Sequence, residues 1–331
     1  MRTPSWDAAV ADARRLCAAV RRRECCAAQF ADGFDTYSNI TTLWETTSGT
    51  ITFGTAYRRF APPAGLPGQG AYFASGAWAR KNMASNQSTI IAKVSYYQTV
   101  AVGASMNLIG VIDTAIAFQV ALVVTAAGGL QVQQGWAHIG GAGLQGQTGP
   151  GVIAPGLWYS IEVEFTISTA GGVANVWVNG VQVLNLTSIN TQVTSDAYAN
   201  QVQIGDGNNL GCYFDDFRIW DNTGSYQNAP LGTDSRLVEK LPSGAGAATN
   251  FTPNGAAANW QCTDDNPPDN DSTYVSGASS GLIDAYDMPN AGFSAAPAMV
   301  MARSLVRKDD GATRSVEIGV ESSGSYSYGS S

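Results

Sequence analysis

Histidine, charge and long apolar runs are what this chain has least of. His138 is the only histidine in 331 residues. That excludes a histidine-rich metal site and leaves any Ser–His–Asp hydrolase dependent on one imidazole. Charged residues make up 13%, about half the usual share. A surface so rich in hydroxyls and amides suits an extracellular or particle-borne β protein better than a cytosolic enzyme. The net charge of −8 argues against nucleic acid as a partner, which calls for a basic face. No run of about 18 apolar residues occurs, so a transmembrane helix is excluded. The N-terminus has no continuous apolar core of the kind a secretory signal needs, so if the protein leaves its cell the expected route is another one, such as lysis. Cysteine is sparse and odd in number: Cys17, Cys25, Cys26, Cys212 and Cys262. These form neither a disulfide framework nor a zinc spacing, and read as free, mostly buried thiols.

What is present divides the chain into three. Residues 1–30 carry Arg2, Arg14, Arg15, Arg21, Arg22 and Arg23 against Asp7, Asp12 and Glu24. Ser5 is a candidate N-cap, and Val10, Leu16, Cys17 and Val20 recur at helical spacing, predicting a basic helix over 5–28, read first as a solvated extension and second as an attachment segment that docks on an acidic partner. From Ala31 the pattern turns to short runs rich in Val, Ile, Thr, Tyr and Trp between Gly, Asn, Pro and Ser clusters. Asn179-Gly180 in "VNGVQV" supplies the two positive-φ residues of a type I′ hairpin turn. Strands without intervening helices predict an antiparallel sandwich over 31–222. Beyond it, 223–331 reads as a smaller, turn-rich β domain. There "AMVMARSLVR" and "RSVEIGVES" flank a turn at Asp310-Gly311, and a partner chain is expected to complete the unit.

Four features occur in order: Trp158, Asn179-Gly180, Ile204-Gly205, and Asp215-Asp216 heading "DDFRIWD". Together they resemble the concanavalin A-like jelly roll in its laminin-G-like form. The resemblance covers 150–224 well and 31–149 by strand texture. It implies an all-β jelly-roll sandwich, a fold that hosts lectins, glycosidases and plain structural modules alike. The stretches "FADGFDTYS", "DSRLVEKLPSGAGAATNF" and "ARSLVRKDDGATRSVEIGV" resemble uncharacterised virion proteins of tailed bacteriophages. That implies a multi-copy, non-enzymatic structural component among other virion proteins, on the tail for adsorption ahead of capsid decoration. Its lectin-like domain would meet host-surface glycan. A free-standing lectin is the alternative, and a glycoside hydrolase ranks below both.

Asp215 and Asp216 are the first candidates for chemistry. Strand alternation sends neighbours to opposite faces, so the two do not form an acid–base pair across a glycosidic bond. Glu162 and Glu164 in "IEVEF" share a face but read as an exposed polar side. Calcium takes six to eight oxygens, and Asp206 and Asn208 with Asp215 and Asp216 are the candidate ligands. Pinning of the last strand by carboxylate–backbone bonds ranks ahead of calcium, and no other cofactor is expected. Tyr57, Arg58 and Arg59 could meet sugar or phosphate. The glycine-rich 140–151 lacks the Lys of a phosphate loop and reads as a surface loop. Asp264, Asp265, Asp269 and Asp271 read as a solvated acidic turn. Trp44, Trp78, Trp136, Trp158, Trp177 and Trp220 are expected in the core rather than on a sugar platform.

Overall fold

The computed structural model describes residues 28–62, 66, 68–101, 103–135, 143–205, 211–223, 228–232, 234–265, 269, 271–290, 300–307, 316–322 and 325–328. The strands of the main unit are β1 (Ala28–Asp32), β2 (Thr46–Ser48), β3 (Ile51–Gly54), β4 (Gly70–Phe73), β5 (Trp78–Gln87), β6 (Thr89–Gln98), β7 (Met106–Ile112), β8 (Phe118–Val124), β9 (Leu130–Gln134), β10 (Leu144–Gln147), β11 (Trp158–Thr166), β12 (Gly172–Val178), β13 (Val181–Ile189), β14 (Ala199–Gly205) and β15 (Cys212–Asp221). They form two antiparallel sheets. The first runs β13-β12-β11-β6-β15-β4-β3, with β1 also pairing β15; the second runs β10-β9-β8-β7-β14-β5-β2.

Period-two sequence puts the core between the sheets. Along β6, Ile90, Ala92, Val94 and Tyr96 face inward, and along β11 Tyr159, Ile161, Val163 and Phe165 do the same. They meet Val111, Val120, Leu122, Val202 and Ile204 of the second sheet. Each Val, Leu, Ile or Phe among them contributes roughly 1.5–3 kcal/mol by leaving water. The β12–β13 turn is as expected: Asn179 has φ 50° and Gly180 φ 81°, and Asn179 Oδ1 accepts from Ser160 N.

The N-terminal edge is fixed by one buried carboxylate. Asp32 accepts from Phe34 N at 2.8 Å, Trp44 Nε1 at 2.7 Å and the Tyr37 hydroxyl. Burial pushes it up to about 7, with Glu239 adding to the shift, against the pull of its three donors. Trp44 in turn packs on Phe217 with ring centroids 5.0 Å apart.

Ala28–Asn222 and Ala229–Ala291 form one compact unit. Residues 229–232 and 234–240 run over the outer face of the first sheet as a strap, bonded to Glu162, Asp216 and Arg59. They lead to β16 (Gly244–Thr249), β17 (Thr252–Asn254), β18 (Tyr274–Ser276) and β19 (Asp284–Asp287), where β16 pairs β19 and β17 pairs β18. β20 (Gly319–Ser322) and β21 (Ser325–Tyr328) pair as a hairpin in a separate unit. The expected helix over 5–28 lies outside the described residues except for Ala28, which opens a strand instead. No α-helix occurs among the described residues, and none of their helices is long and apolar enough to cross a membrane. Residues 300–307, expected as a strand, have no regular structure, and the turn at Asp310-Gly311 lies outside the described residues. Cys212 and Cys262 are free and buried.

Candidate functional site

The Asp215-Asp216 pair departs from simple alternation. The register of β15 against β6 shifts between Asp215 and Arg218, and Asp216 is left-handed at φ 54°. This is a β-bulge, and Asp is among the few non-glycine residues that tolerate that conformation. The bulge resets the pleat: Phe214 and then Phe217 and Ile219 face the core, while Tyr213, Asp215, Arg218 and Trp220 lie on the outer side. The expectation that the two carboxylates point to opposite faces is therefore corrected, because the extra residue turns both outward to line one cleft.

All four carboxylate oxygens of the pair are hydrogen-bonded. Asp215 accepts from Asp216 N at 2.8 Å and Arg59 N at 2.7 Å. Asp216 accepts from Ser95 Oγ at 2.8 Å and from Leu237 N of the strap. Burial lifts both above the usual carboxylate range, and the charge of Asp216 lifts Asp215 further. Other bonds fasten the strap. Glu162 takes Leu231 N at 2.6 Å and Gly232 N at 2.8 Å, with Lys93 Nζ 4.0 Å away. Asp234 forms a forked pair with Arg59. Glu239 takes Gly33 N and Thr36 Oγ1 at 3.0 and 2.6 Å. Glu162 is thus buried under the strap, not exposed, and Glu164 binds Asn175 Nδ2 at 2.8 Å. Arg218, cross-strand from Lys93, is buried with Nε and Nη2 unpartnered among the described residues.

The cleft beside the pair is lined by Asp35, Asp215, Asp216, Phe60, Arg236 and Leu237. Burial pushes Asp35 up to about 8. The cleft holds about 20 Å³, which is room for a water molecule and not for a sugar. Asp206 and Asn208 lie outside the described residues, and no three His, Cys, Asp or Glu side chains among the described residues are placed to hold a metal.

One row further along the same face lies an aromatic ladder that no sequence motif announces. Tyr72 of β4 pairs Tyr213 of β15, Tyr213 pairs Tyr97 of β6, and Tyr97 pairs Trp158 of β11. Their chain neighbours Phe73, Phe214, Tyr96 and Tyr159 are core residues, so alternation turns all four rungs outward. Successive ring centroids are 5.6, 5.0 and 5.4 Å apart. Tyr57, from a 3-10 turn over the sheet edge, adds a fifth ring 5.5 Å from Tyr72 and 4.9 Å from Tyr213. Gly70 lets that turn lie on β4, since a Cβ there would sit 2.1 Å from Tyr57 O. Each ring is half-buried. Burial and the neighbouring phenols raise Tyr213. None of the four tyrosine hydroxyls has a hydrogen-bond partner among the described residues. The ladder thus offers fixed apolar rings tipped with free donors and acceptors.

The other candidates fall as follows. Trp44 and Trp220 are buried as expected, whereas Trp158, Trp78 and Trp177 are half-exposed, and Trp136 lies outside the described residues. Tyr57 joins the ladder. Arg58 binds Gly68 O, and Arg59 is taken up by Asp234. Within the expected loop 140–151, the stretch 144–147 is the edge strand β10. Asp265 and Asp269 share the Thr273 hydroxyl.

No family model matches this sequence, and no curated protein matches it. Solved structures with a similar course include the alginate lyase Aly36B, at 10% identity and TM-score 0.38, over 60% of this chain and 99% of that one. The cellulose-induced protein Cip1 is similar at 12% and 0.41, over 58% and 96%. Domain 4 of AbnA, an extracellular arabinanase of Geobacillus stearothermophilus solved with arabinotriose, is similar at 14% and 0.39, over 62% and 96%. At these identities and TM-scores the likenesses assign neither ligand nor activity to this chain, and none points to a phage particle. The fold stands on its own strands as an all-β antiparallel sandwich.

Proposed function

We propose that this protein is a non-enzymatic glycan-binding β-sandwich whose ladder is the binding surface. The observation that carries this reading is the register of Tyr72, Tyr213, Tyr97 and Trp158 on four adjacent strands of one face. Aromatic rings cover the apolar faces of sugars, and phenols with no partner among the described residues answer their hydroxyls. The carboxylates that would serve a hydrolase support the same reading: Glu162 is closed under the strap, and the Asp pair is occupied by backbone and serine donors.

The test is retention of the full chain on immobilised neutral and acidic polysaccharides, with Trp158→Ala and Tyr213→Ala alongside. Loss of a central or terminal ring is expected to weaken binding about tenfold, near 1.4 kcal/mol, with no reducing sugar released by either form. No retention on any polysaccharide, or release of sugar abolished by Glu162→Gln, would overturn it. The tail or capsid setting implied by the phage resemblance would add multivalency to weak sites. Immunoelectron microscopy of purified particles tests that setting, and unlabelled particles would refute it.

A further inference from the structure

We infer that the ladder takes a linear, uncharged polysaccharide laid across the strands, one sugar ring to each rung; this rests on the glycan-binding reading above. Direction comes from register. The rungs follow the hydrogen-bonding direction of the sheet, where strands lie 4.7–4.9 Å apart, so four rungs cover about 15 Å. A chain laid along a strand would cross one ring and then run into the next row, where Ser95, Ser160 and Asp215 are buried. Across the strands the row continues past Tyr72 to exposed Thr52 of β3 at one end. At the other end the row stops at Trp158, the first residue of β11, whose pairing with β12 begins only at Ile161.

Charge decides the class. The cation–ring contacts of the described residues fall on Phe30, Phe60, Trp78 and Phe118, and none on a rung. The cations beside the ladder, Arg58 and Arg59, are engaged on Gly68 O and on Asp234. The charged groups nearest along β15 are Asp215 and Asp216, and the protein carries −8 overall. A uronate or sulfated chain would meet no counter-charge on the ladder and a like-charged protein around it. Hydroxyls that both donate and accept suit the alcohols of a neutral sugar, and rings already packed on each other lose little freedom on binding.

The experiment uses the neutral polymer best retained by the full chain, cut to oligosaccharides of one to six rings, with calorimetric titration of each. Affinity is expected to rise with every ring up to four and then level off. In Trp158→Ala the rise is expected to stop at three, while Trp158→Phe keeps it. An oligogalacturonate series is expected to bind at least tenfold more weakly at equal length. An affinity independent of length, or preferential retention of acidic polymers, would overturn this inference while leaving glycan binding intact. Retention of none would instead remove the reading on which it rests.

Discussion

Replacing Asp216 separates a structural pin from a cation ligand. In Asp216→Ala the Ser95 hydroxyl and the Leu237 N–H lose their acceptor, at about 1 kcal/mol for each bond. Ser95 is only 1% exposed, so water cannot readily replace it. Alanine at φ 54° adds about 1 kcal/mol of backbone strain. Relief from burying a carboxylate already raised in pKa returns some of this, leaving a loss of about 2–3 kcal/mol. Asp216→Gly removes the strain alone and should recover about 1 kcal/mol of that loss. Asp216→Asn keeps an acceptor for Leu237 and tolerates the left-handed backbone. The serine can turn to accept from its amide, so the loss should stay below about 1 kcal/mol. Urea unfolding followed by tryptophan emission reads all three, since Trp44 packs on Phe217 beside the bulge. The expected order of stability is wild type, Asn, Gly, Ala. A loss below about 0.5 kcal/mol in Ala would sink the pin. A loss in Asn equal to that in Ala would mean that the negative charge itself is required, as the partner of Arg218 and Arg59 or of a bound cation.

Three further outcomes are expected. Calcium or a chelator should leave the melting temperature unchanged, because every oxygen of Asp215 and Asp216 already has a donor; a rise with calcium would restore the set containing Asp206 and Asn208. Asp32 and Asp35 titrate at about 7 and about 8 when folded against 3.8. The folded state therefore holds extra protons between these limits, and stability should fall as pH rises from about 4 to about 8. Asp35→Asn should flatten the upper end of that slope in a melting series, and an unchanged slope would count against it. Glu162→Gln leaves one acceptor for two strap amides and should cost about 1–2 kcal/mol in urea while leaving glycan affinity unchanged; an equal loss of affinity would place Glu162 in the binding site.

The sandwich was legible because β6 and β11 alternate cleanly, and Asn179-Gly180 has one favoured backbone. The bulge was not. In "FDDF" the two Phe stand three apart, out of step with a period of two, and the demand that Phe214 and Phe217 both reach the core is what reveals the extra residue. The ladder was hidden for another reason. Its rungs come from widely separated stretches of the chain yet lie one strand apart in space, and each looks like an ordinary aromatic in an apolar run. Glu162 misled in the opposite sense. Alternation gave its face correctly, but burial depends on a strap about 70 residues later.

The strap also sets how the protein meets mechanical force. β15 is an interior strand, held by β6 on one side and by β4 and β1 on the other. Tension applied to the chain beyond Lys240 reaches the strap before it reaches β15. There it meets Glu239, then Leu237 on Asp216, then Asp234 on Arg59, then Leu231 and Gly232 on Glu162. Clamps spaced along a line under tension open in succession, each yielding a short length of slack. The strap thus lies in series with the sheet, its first residue also held to β15 by Trp220 Nε1 on Ala229 O, and a pull from that side reaches the aromatic face only after these clamps.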